Sequence, residues 1–369
     1  MNRRQFALAA AVLAAGCNKR GSTPTDDKPA ATVEPHTDPP KVPSKPQEPP
    51  RLTPRHRFKT GIREIAGLEI TDDGACVSVV GEGLGDRKQT EVWELTPAPR
   101  KVREFSSGLA TLSPDGKYLT RSGERLGETD VVDVTTGAAV CVVPAAGQFQ
   151  RFAGPGRLVV VRRGESVPGG RPGALLVDLY DAKTGRRESG FEIPGPGHGG
   201  VRGPDARGLV NCSQELVVGW ESTSRVEVWD LGSGMVVRGV TLPDARPNGS
   251  WSNFAASPDG KRVTAQRRTD RPVGVYDTVT GAEIATTGFP IESAFVPGRD
   301  LVLGRAVWVG EGSREFNGWR AYDLTRKAFV AELPGGYLVP AISADGRVMV
   351  TRVDRAAPDL LVWDLTRIP

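Results

Sequence analysis

The sequence predicts an all-β protein: a seven-bladed β-propeller of four-stranded antiparallel blades, its last blade closed by the N-terminal strand. Three observations predict it. First, an apolar residue beside an acid ends a short apolar run seven times, at Trp93-Glu94, Val132-Asp133, Tyr180-Asp181, Trp229-Asp230, Tyr276-Asp277, Tyr322-Asp323 and Trp363-Asp364. The successive intervals of 39, 48, 49, 47, 46 and 41 residues lie near the ~40–45 residues of a four-stranded blade. Second, tight-turn sequences precede most of these pairs by about twenty residues: Asp72-Asp73-Gly74, Ser113-Pro114-Asp115-Gly116, Ser257-Pro258-Asp259-Gly260 and Ser343-Ala344-Asp345-Gly346. Third, glycine turns follow the pairs, as in Val134-Thr135-Thr136-Gly137, Ala182-Lys183-Thr184-Gly185, Leu231-Gly232-Ser233-Gly234 and Thr278-Val279-Thr280-Gly281. In both turn types glycine supplies the positive φ that a tight reversal needs. The 45 glycines and 30 prolines among 369 residues suit many short strands, and no segment keeps a helical period.

Taken from the N-terminus, residues 1–17 read as an export signal. Arg3 and Arg4 precede an apolar run from Phe6 to Ala15, about ten residues and too short to cross a ~30 Å hydrocarbon layer as a helix. Leu13-Ala14-Ala15-Gly16-Cys17 resembles the lipobox of bacterial lipoproteins, which implies that Cys17 is diacylated and becomes the new N-terminus. Arg3-Arg4-Gln5-Phe6 resembles the core of a twin-arginine signal, so both the general and the twin-arginine routes stay open. Residues 18–54 carry ten prolines among Lys, Asp, Thr and Glu; such a stretch cannot bury enough apolar area to offset its ordering entropy and is expected to be an extended tether.

From residue 55 to 369 each unit reads strand, Asp-Gly turn, strand, variable loop, strand ending in the pair, glycine turn, strand. The residues after the first turns are strand-like, as in Lys117-Tyr118-Leu119-Thr120 and Arg347-Val348-Met349-Val350. Two blades replace the Asp-Gly turn by Gly154-Pro155-Gly156 and Pro297-Gly298, and Ser213-Gln214-Glu215 is a degenerate copy. Five residues follow Asp364, too few for an outer strand. The segment Arg55-His56-Arg57-Phe58-Lys59-Thr60 is therefore expected to pair with the last blade, with the tether emerging from the rim of blade seven.

Val92-Trp93-Glu94-Leu95, Val228-Trp229-Asp230-Leu231 and Val362-Trp363-Asp364-Leu365 resemble the strand-ending dipeptide of WD-repeat β-propellers. The Ser-Pro-Asp-Gly turns are similar to those of periplasmic propellers, including lactonase-like proteins and quinoprotein amine dehydrogenase β-chains. The resemblance spans about residues 55–369 and implies a bacterial propeller lipoprotein. The Gly-His dipeptide that opens many WD repeats is absent, so that family's hydrogen-bond relay is not carried over. The pairs themselves are expected to be scaffolding, with the ring packed between sheets and the acid accepting hydrogen bonds in the turn.

Charge narrows the function. The formal net charge is +4, and removing Arg3 and Arg4 leaves 46 basic against 44 acidic residues, or +2. With the export signal, so small a charge argues against nucleic acid. Arginine recurs where the second strand of five blades ends, at Arg121, Arg162, Arg267, Arg305 and Arg352, and more arginines follow at Arg125, Arg163, Arg171, Arg268, Arg271, Arg314 and Arg355. These positions fall on the face opposite the Asp-Gly turns. One reading is a basic mouth for an anionic ligand, either an acidic or sulfated glycan or an acidic protein patch. The plainer reading pairs these arginines with acids such as Glu82, Glu124, Glu165 and Asp270. The loop from Trp308 to Trp319 offers Trp308, Phe316 and Trp319 as candidate aromatic contacts or as strand packing.

Catalytic groups are scarce. Of three histidines, His36 lies in the tether, His56 in the closing strand and His198 in the loop Gly197-His198-Gly199-Gly200, so three histidine ligands cannot converge on a metal. That loop resembles an esterase oxyanion loop but lacks the serine elbow that accompanies one. Cys76, Cys141 and Cys212 show no metal-type spacing, and no disulfide pair is favoured. The expected protein is a non-enzymatic, monomeric interaction or ligand-binding scaffold without cofactor or metal. It is exported to the bacterial envelope, faces the periplasm or exterior, and touches the membrane through its lipid anchor alone. Its expected partner is an envelope protein or anionic glycan. The alternative is a propeller enzyme or subunit, lactonase-like or a cofactor-dependent dehydrogenase.

Overall fold

The computed structural model describes residues 48–369 except 84–86, 108–109, 124, 126, 146, 148, 165–173, 196–205, 213–214, 221–224, 244–251, 267–271, 288, 290, 309–315 and 355–356. Cys17, the signal and most of the tether therefore lie outside the described residues, as do Arg171, His198, Arg267, Arg268, Arg271, Arg314 and Arg355. The described chain forms seven antiparallel sheets. A short strand β1 (His56–Lys59) precedes the first blade, β2 (Glu64–Ile70), β3 (Cys76–Glu82), β4 (Lys88–Glu94) and β5 (Arg100–Phe105). The second blade has β6 (Tyr118–Ser122), β7 (Thr129–Asp133) and β8 (Ala139–Val143), and the third β9 (Phe149–Phe152), β10 (Arg157–Arg163), β11 (Leu175–Asp181) and β12 (Arg187–Ile193). The fourth comprises β13 (Ala206–Cys212), β14 (Glu215–Trp220), β15 (Arg225–Asp230) and β16 (Val236–Thr241). The fifth comprises β17 (Ser252–Ala256), β18 (Arg262–Gln266), β19 (Gly274–Asp277) and β20 (Glu283–Thr286). The sixth holds β21 (Ile291–Val296), β22 (Leu301–Trp308), β23 (Phe316–Asp323) and β24 (Ala328–Pro334), and the seventh β25 (Tyr337–Ile342), β26 (Val348–Arg352) and β27 (Asp359–Asp364).

The seventh sheet has the order β1-β27-β26-β25. Its outer strand comes from the N-terminal side, with His56 opposite Val362 and Lys59 opposite Asp359. Phe58 packs on Trp93 at 4.8 Å between ring centroids. The second blade is the incomplete one: its inner segment reduces to a bridge between Leu112 and Leu119. First strands of neighbouring blades abut, β2 with β25, β25 with β21, β21 with β17 and β17 with β13, so they line the axis of the ring.

Because each sheet is covered on both faces, its middle strands carry near-continuous apolar runs rather than a clean alternation. Successive side chains then serve opposite seams. Met349 joins the cluster between blades six and seven, whereas Val350 joins that between seven and one. Among the described residues there is one hydrophobic cluster for every seam. Full burial of each such aliphatic side chain contributes roughly 1.5–3 kcal/mol, so cohesion is spread around the ring.

The seven pair residues divide along the same seams. Trp93, Val132, Tyr180, Trp229, Tyr276, Tyr322 and Trp363 each pack into the seam with the preceding blade. In six blades a β-bulge falls at the pair, where the third strand meets the outer one. A bulge bends and twists an edge strand, which blunts it as a template for pairing with another chain.

One boundary moves. The tether was expected to run to residue 54, yet Leu52 is buried in the core between blades six and seven. Leu52 N donates to Glu332 O at 2.8 Å, Glu332 N donates to Pro50 O at 2.9 Å, and Arg51 pairs with the Glu332 carboxylate at 2.9 Å. Residues 50–52 thus lie along β24 of the sixth blade rather than leaving from the rim of the seventh. The single leucine in a proline-rich run is the sequence signal of this contact.

Candidate functional site

The face carrying the Asp-Gly turns is built by repetition. Ser113 Oγ donates to Asp115 Oδ1 at 2.7 Å, Asp115 accepts from Lys117 N at 3.2 Å, and Ser113 Oγ accepts from Tyr118 N at 2.8 Å. Ser257 with Asp259 and Ser343 with Asp345 repeat the pattern, and Thr71 with Asp73 replaces serine by threonine. Burial pulls the Asp115 and Asp259 carboxyls up, but the serine hydroxyl and lysine amide outweigh it and hold both below the usual range. Asp72 goes the other way. Burial, then the neighbouring charges of Asp73, Asp115 and Asp345, raise its carboxyl. Between blades five and six, Asp259, Arg262, Phe295 and Asp300 line a groove, which Arg262 crosses to reach Asp300 at 2.6 Å.

The acids of six of the seven pairs cap the following turn, and Glu94 instead pairs with Arg100. Asp133 accepts from Thr136 N at 2.7 Å and Thr136 Oγ1 at 2.9 Å, and Asp181 and Asp277 do the same with Thr184 and Thr280. Asp230 accepts from Ser233 N, Asp323 from Arg326 N and Asp364 from Thr366 N. These bonds hold Asp133, Asp181, Asp230 and Asp277 below the ordinary carboxylate range. The tryptophan of the pair is tied by two devices. Trp93 Nε1 donates to Glu91 at 2.9 Å and Trp229 Nε1 to Glu227 at 3.2 Å, two residues back on the same strand face. Trp363 Nε1 instead donates to Thr351 Oγ1 of the neighbouring strand at 3.0 Å.

Near the axis, Glu69 of the first blade accepts from Thr111 Oγ1 at 2.6 Å and Leu112 N at 2.7 Å, and it pairs with Arg151 of the third. This cross-ring contact passes in front of the incomplete second blade, and Glu69 satisfies the Leu112 amide that would otherwise be left orphaned.

The strand-end arginines have separate fates. Arg121 pairs with Asp130 at 3.1 Å. Arg162 pairs with Asp178, whose other oxygen takes Arg187 at 2.7 Å. Arg352 is buried and donates to Ala357 O and Ile65 O, both at 3.1 Å. A continuous basic mouth is therefore not what these three build: each is spent on an internal acceptor, and for the buried Arg352 an unpaired cation would be costly. Of the acids expected opposite these arginines, Glu124, Glu165 and Asp270 lie outside the described residues; Asp130 and Asp178 come from the facing third strand. Arg305 differs. It has no hydrogen bond, only Tyr337 under its guanidinium at 4.2 Å and Glu292 at 3.9 Å.

The aromatic candidates also separate. Trp319 is fully buried in the seam between blades six and seven, so it packs the core instead of presenting a ring. Trp308 and Phe316 face each other in register at the ends of β22 and β23. Cys76 and Cys141 are free thiols. Burial pushes the Cys76 thiol up, and the Cys141 thiol to about 11. Cys141 Sγ donates to Ala182 O at 3.2 Å, which suits structural thiols. Among the described residues, no three His, Cys, Asp or Glu side chains are grouped to hold a metal.

This arrangement defines a WD-repeat-like seven-bladed β-propeller. It is similar to the β-propeller domain of Cps50 (Swd1) from Myceliophteria thermophila, with a TM-score of 0.57 and 11% identity over 84% of this chain and 99% of that one. At that identity the likeness shows the fold. No family model matches the sequence, and no curated protein matches it.

Proposed function

We propose that the propeller is an interaction scaffold of the bacterial envelope, tethered through a diacylated Cys17 and the proline-rich segment that follows. Its fold is compatible with a protein-interaction role. The observation that carries the reading is a set of exposed apolar side chains at the start of the outer strand of the fourth blade. Met235, Val236 and Val237 are 67%, 42% and 50% exposed, and they continue from Gly234, whose position abuts the Phe191 ring. Exposed apolar side chains gathered at the outer edge of one blade mark a surface that gains by being covered. The anionic ligand expected of the arginine face is narrowed to Arg305, the one described strand-end arginine without a hydrogen bond.

The test places a photoreactive amino acid at Val237 in the native host. Cross-linking to a discrete envelope protein, abolished by Met235→Asp, is the expected result; cross-links no stronger than those from exposed Thr286 would refute it. For the anchor, Cys17→Ala abolishes labelling by an alkyne fatty acid and releases the protein from the membrane fraction. Labelling that survives the substitution would refute it.

A further inference from the structure

On the face opposite the Asp-Gly turns, β21, β22 and β25 bring Glu292, Arg305 and Tyr337 together. Arg305 is 9% exposed. Its guanidinium carbon stands 4.2 Å from the centroid of the Tyr337 ring. Nη1 lies 3.9 Å from Glu292 Oε2, close enough for attraction and too far for a hydrogen bond. Arg305 Nε and Glu292 Oε2 are both buried without a hydrogen-bond partner. Glu292 also has φ +29°, at the bulge between Ile291 and Ser293. That is a left-handed conformation which costs a non-glycine residue of order 1–3 kcal/mol.

We propose that Arg305 and Tyr337 form a recognition site for a single carboxylate of a polypeptide partner, an acidic side chain or a chain terminus, and that Glu292 is its resident competitor. The guanidinium presents a planar fork whose Nε edge matches the two oxygens of a carboxylate. Tyr337 covers one face of that fork and fixes its plane. Glu292 already sets a carboxylate beside the cation without bonding to it, held off by its own backbone. An incoming carboxylate that makes both bonds displaces Glu292, and the bulge at that residue can then leave the strained conformation. A polyanionic glycan fits less well: it needs a row of unpaired cations, whereas Arg121, Arg162 and Arg352 are taken and Glu292 adds a negative charge. The proposal rests on the scaffold reading but concerns a different surface from the exposed apolar side chains of the fourth blade.

The test uses the full chain in detergent micelles with ¹⁵N-labelled arginine. The Arg305 Nε–H signal is assigned by its loss in Arg305→Lys. The probe is the capped peptide acetyl-Gly-Ser-Ala-Glu-Ala-Ser-Gly-amide, with its Gln analogue and trigalacturonate as comparisons. The Glu peptide is expected to shift the Arg305 signal saturably and the Gln peptide to leave it in place. Glu292→Gln should tighten binding by about three- to tenfold, because the competitor is gone. Equal shifts from both peptides, weaker binding to Glu292→Gln, or a response to trigalacturonate alone would each overturn the proposal. Should Arg305→Lys fail to fold, Glu292→Gln and the peptide pair still decide the question. The cross-link from Val237 is independent of these outcomes, so failure here leaves the scaffold reading to its own test.

Discussion

Replacing Glu91 should loosen the join between the closing strand and the first blade. This carboxylate is fully buried on β4. It accepts from Gly61 N at 3.1 Å and 3.2 Å, Trp93 Nε1 at 2.9 Å, Gln89 Nε2 at 3.3 Å and Lys101 Nζ at 3.0 Å. Gly61 lies two residues after β1, and the carboxylate comes so close that a Cβ added there would stand 2.6 Å from Glu91 Oε1. Glu91→Ala leaves the Gly61 amide and the Trp93 indole without acceptors, at about 1–3 kcal/mol each. Lys101 loses less, because its side chain is 41% exposed and keeps Glu104 at 2.9 Å. The total is about 2–6 kcal/mol, carried by the two stranded donors rather than by Lys101. Glu91→Gln retains volume and one acceptor oxygen and should cost about 1–2 kcal/mol. Glu104→Ala, which cuts an exposed contact, should cost under about 0.5 kcal/mol. Urea titrations followed by circular dichroism give these differences, and hydrogen exchange at residues 56–62 should accelerate in Glu91→Ala before the other blades respond. A loss below about 1 kcal/mol for Glu91→Ala, or one matched by Glu104→Ala, would refute the reasoning.

Other outcomes are equally definite. Asp72 has its carboxyl raised by burial and by Asp73, Asp115 and Asp345; an acid raised in the fold loses stability as pH climbs through its folded value and loses none below its ordinary one. Asp72→Asn should therefore raise the melting temperature near pH 7 and leave it unchanged near pH 3, and a gain persisting at the lower pH would refute the cause. Gly346 and Gly154 have φ of +69° and +82°, but an added Cβ at Gly346 would lie 2.2 Å from Pro297 O while Gly154 has open space. Ala at 154 should cost about 1 kcal/mol and Ala at 346 clearly more by denaturant melts, because backbone must move. Thr351→Val strands the buried Trp363 indole and should cost about 1–3 kcal/mol in the same assay.

The frame was legible because it rests on local chemistry. The Asp-Gly turns and most of the apolar-acid pairs are short sequences whose hydrogen bonds close within a few residues, so Asp115, Asp133 and Asp277 act as their neighbours dictate. What stayed hidden depends on residues brought together from afar. Nothing around Glu69 announces Thr111 and Arg151, and Arg121, Arg162 and Arg305 look alike until the facing strand supplies Asp130, Asp178 or nothing within bonding distance. Glu91 and Glu227 could have been noticed: both stand two residues before a tryptophan, where a strand puts them on the same face. Leu52 sits among prolines that mark a tether, although one buried leucine is enough to bind that stretch to the sixth blade.

The pairing of His56 with Val362 joins residues 306 positions apart (362 − 56), whereas other seams connect consecutive blades about 45 residues apart. Chain entropy makes this less onerous than it sounds. Loop closure grows only logarithmically with length, so the long join costs about 1.7 kcal/mol more than a local one. The eight buried side chains of the seam between blades seven and one repay that several times over. The penalty falls on time instead: a contact of such high order forms late, after the local hairpins and their seams. Until then the chain is an open arc with two bare ends. The same seam is where a partial opening would expose edges without unfolding the remaining blades.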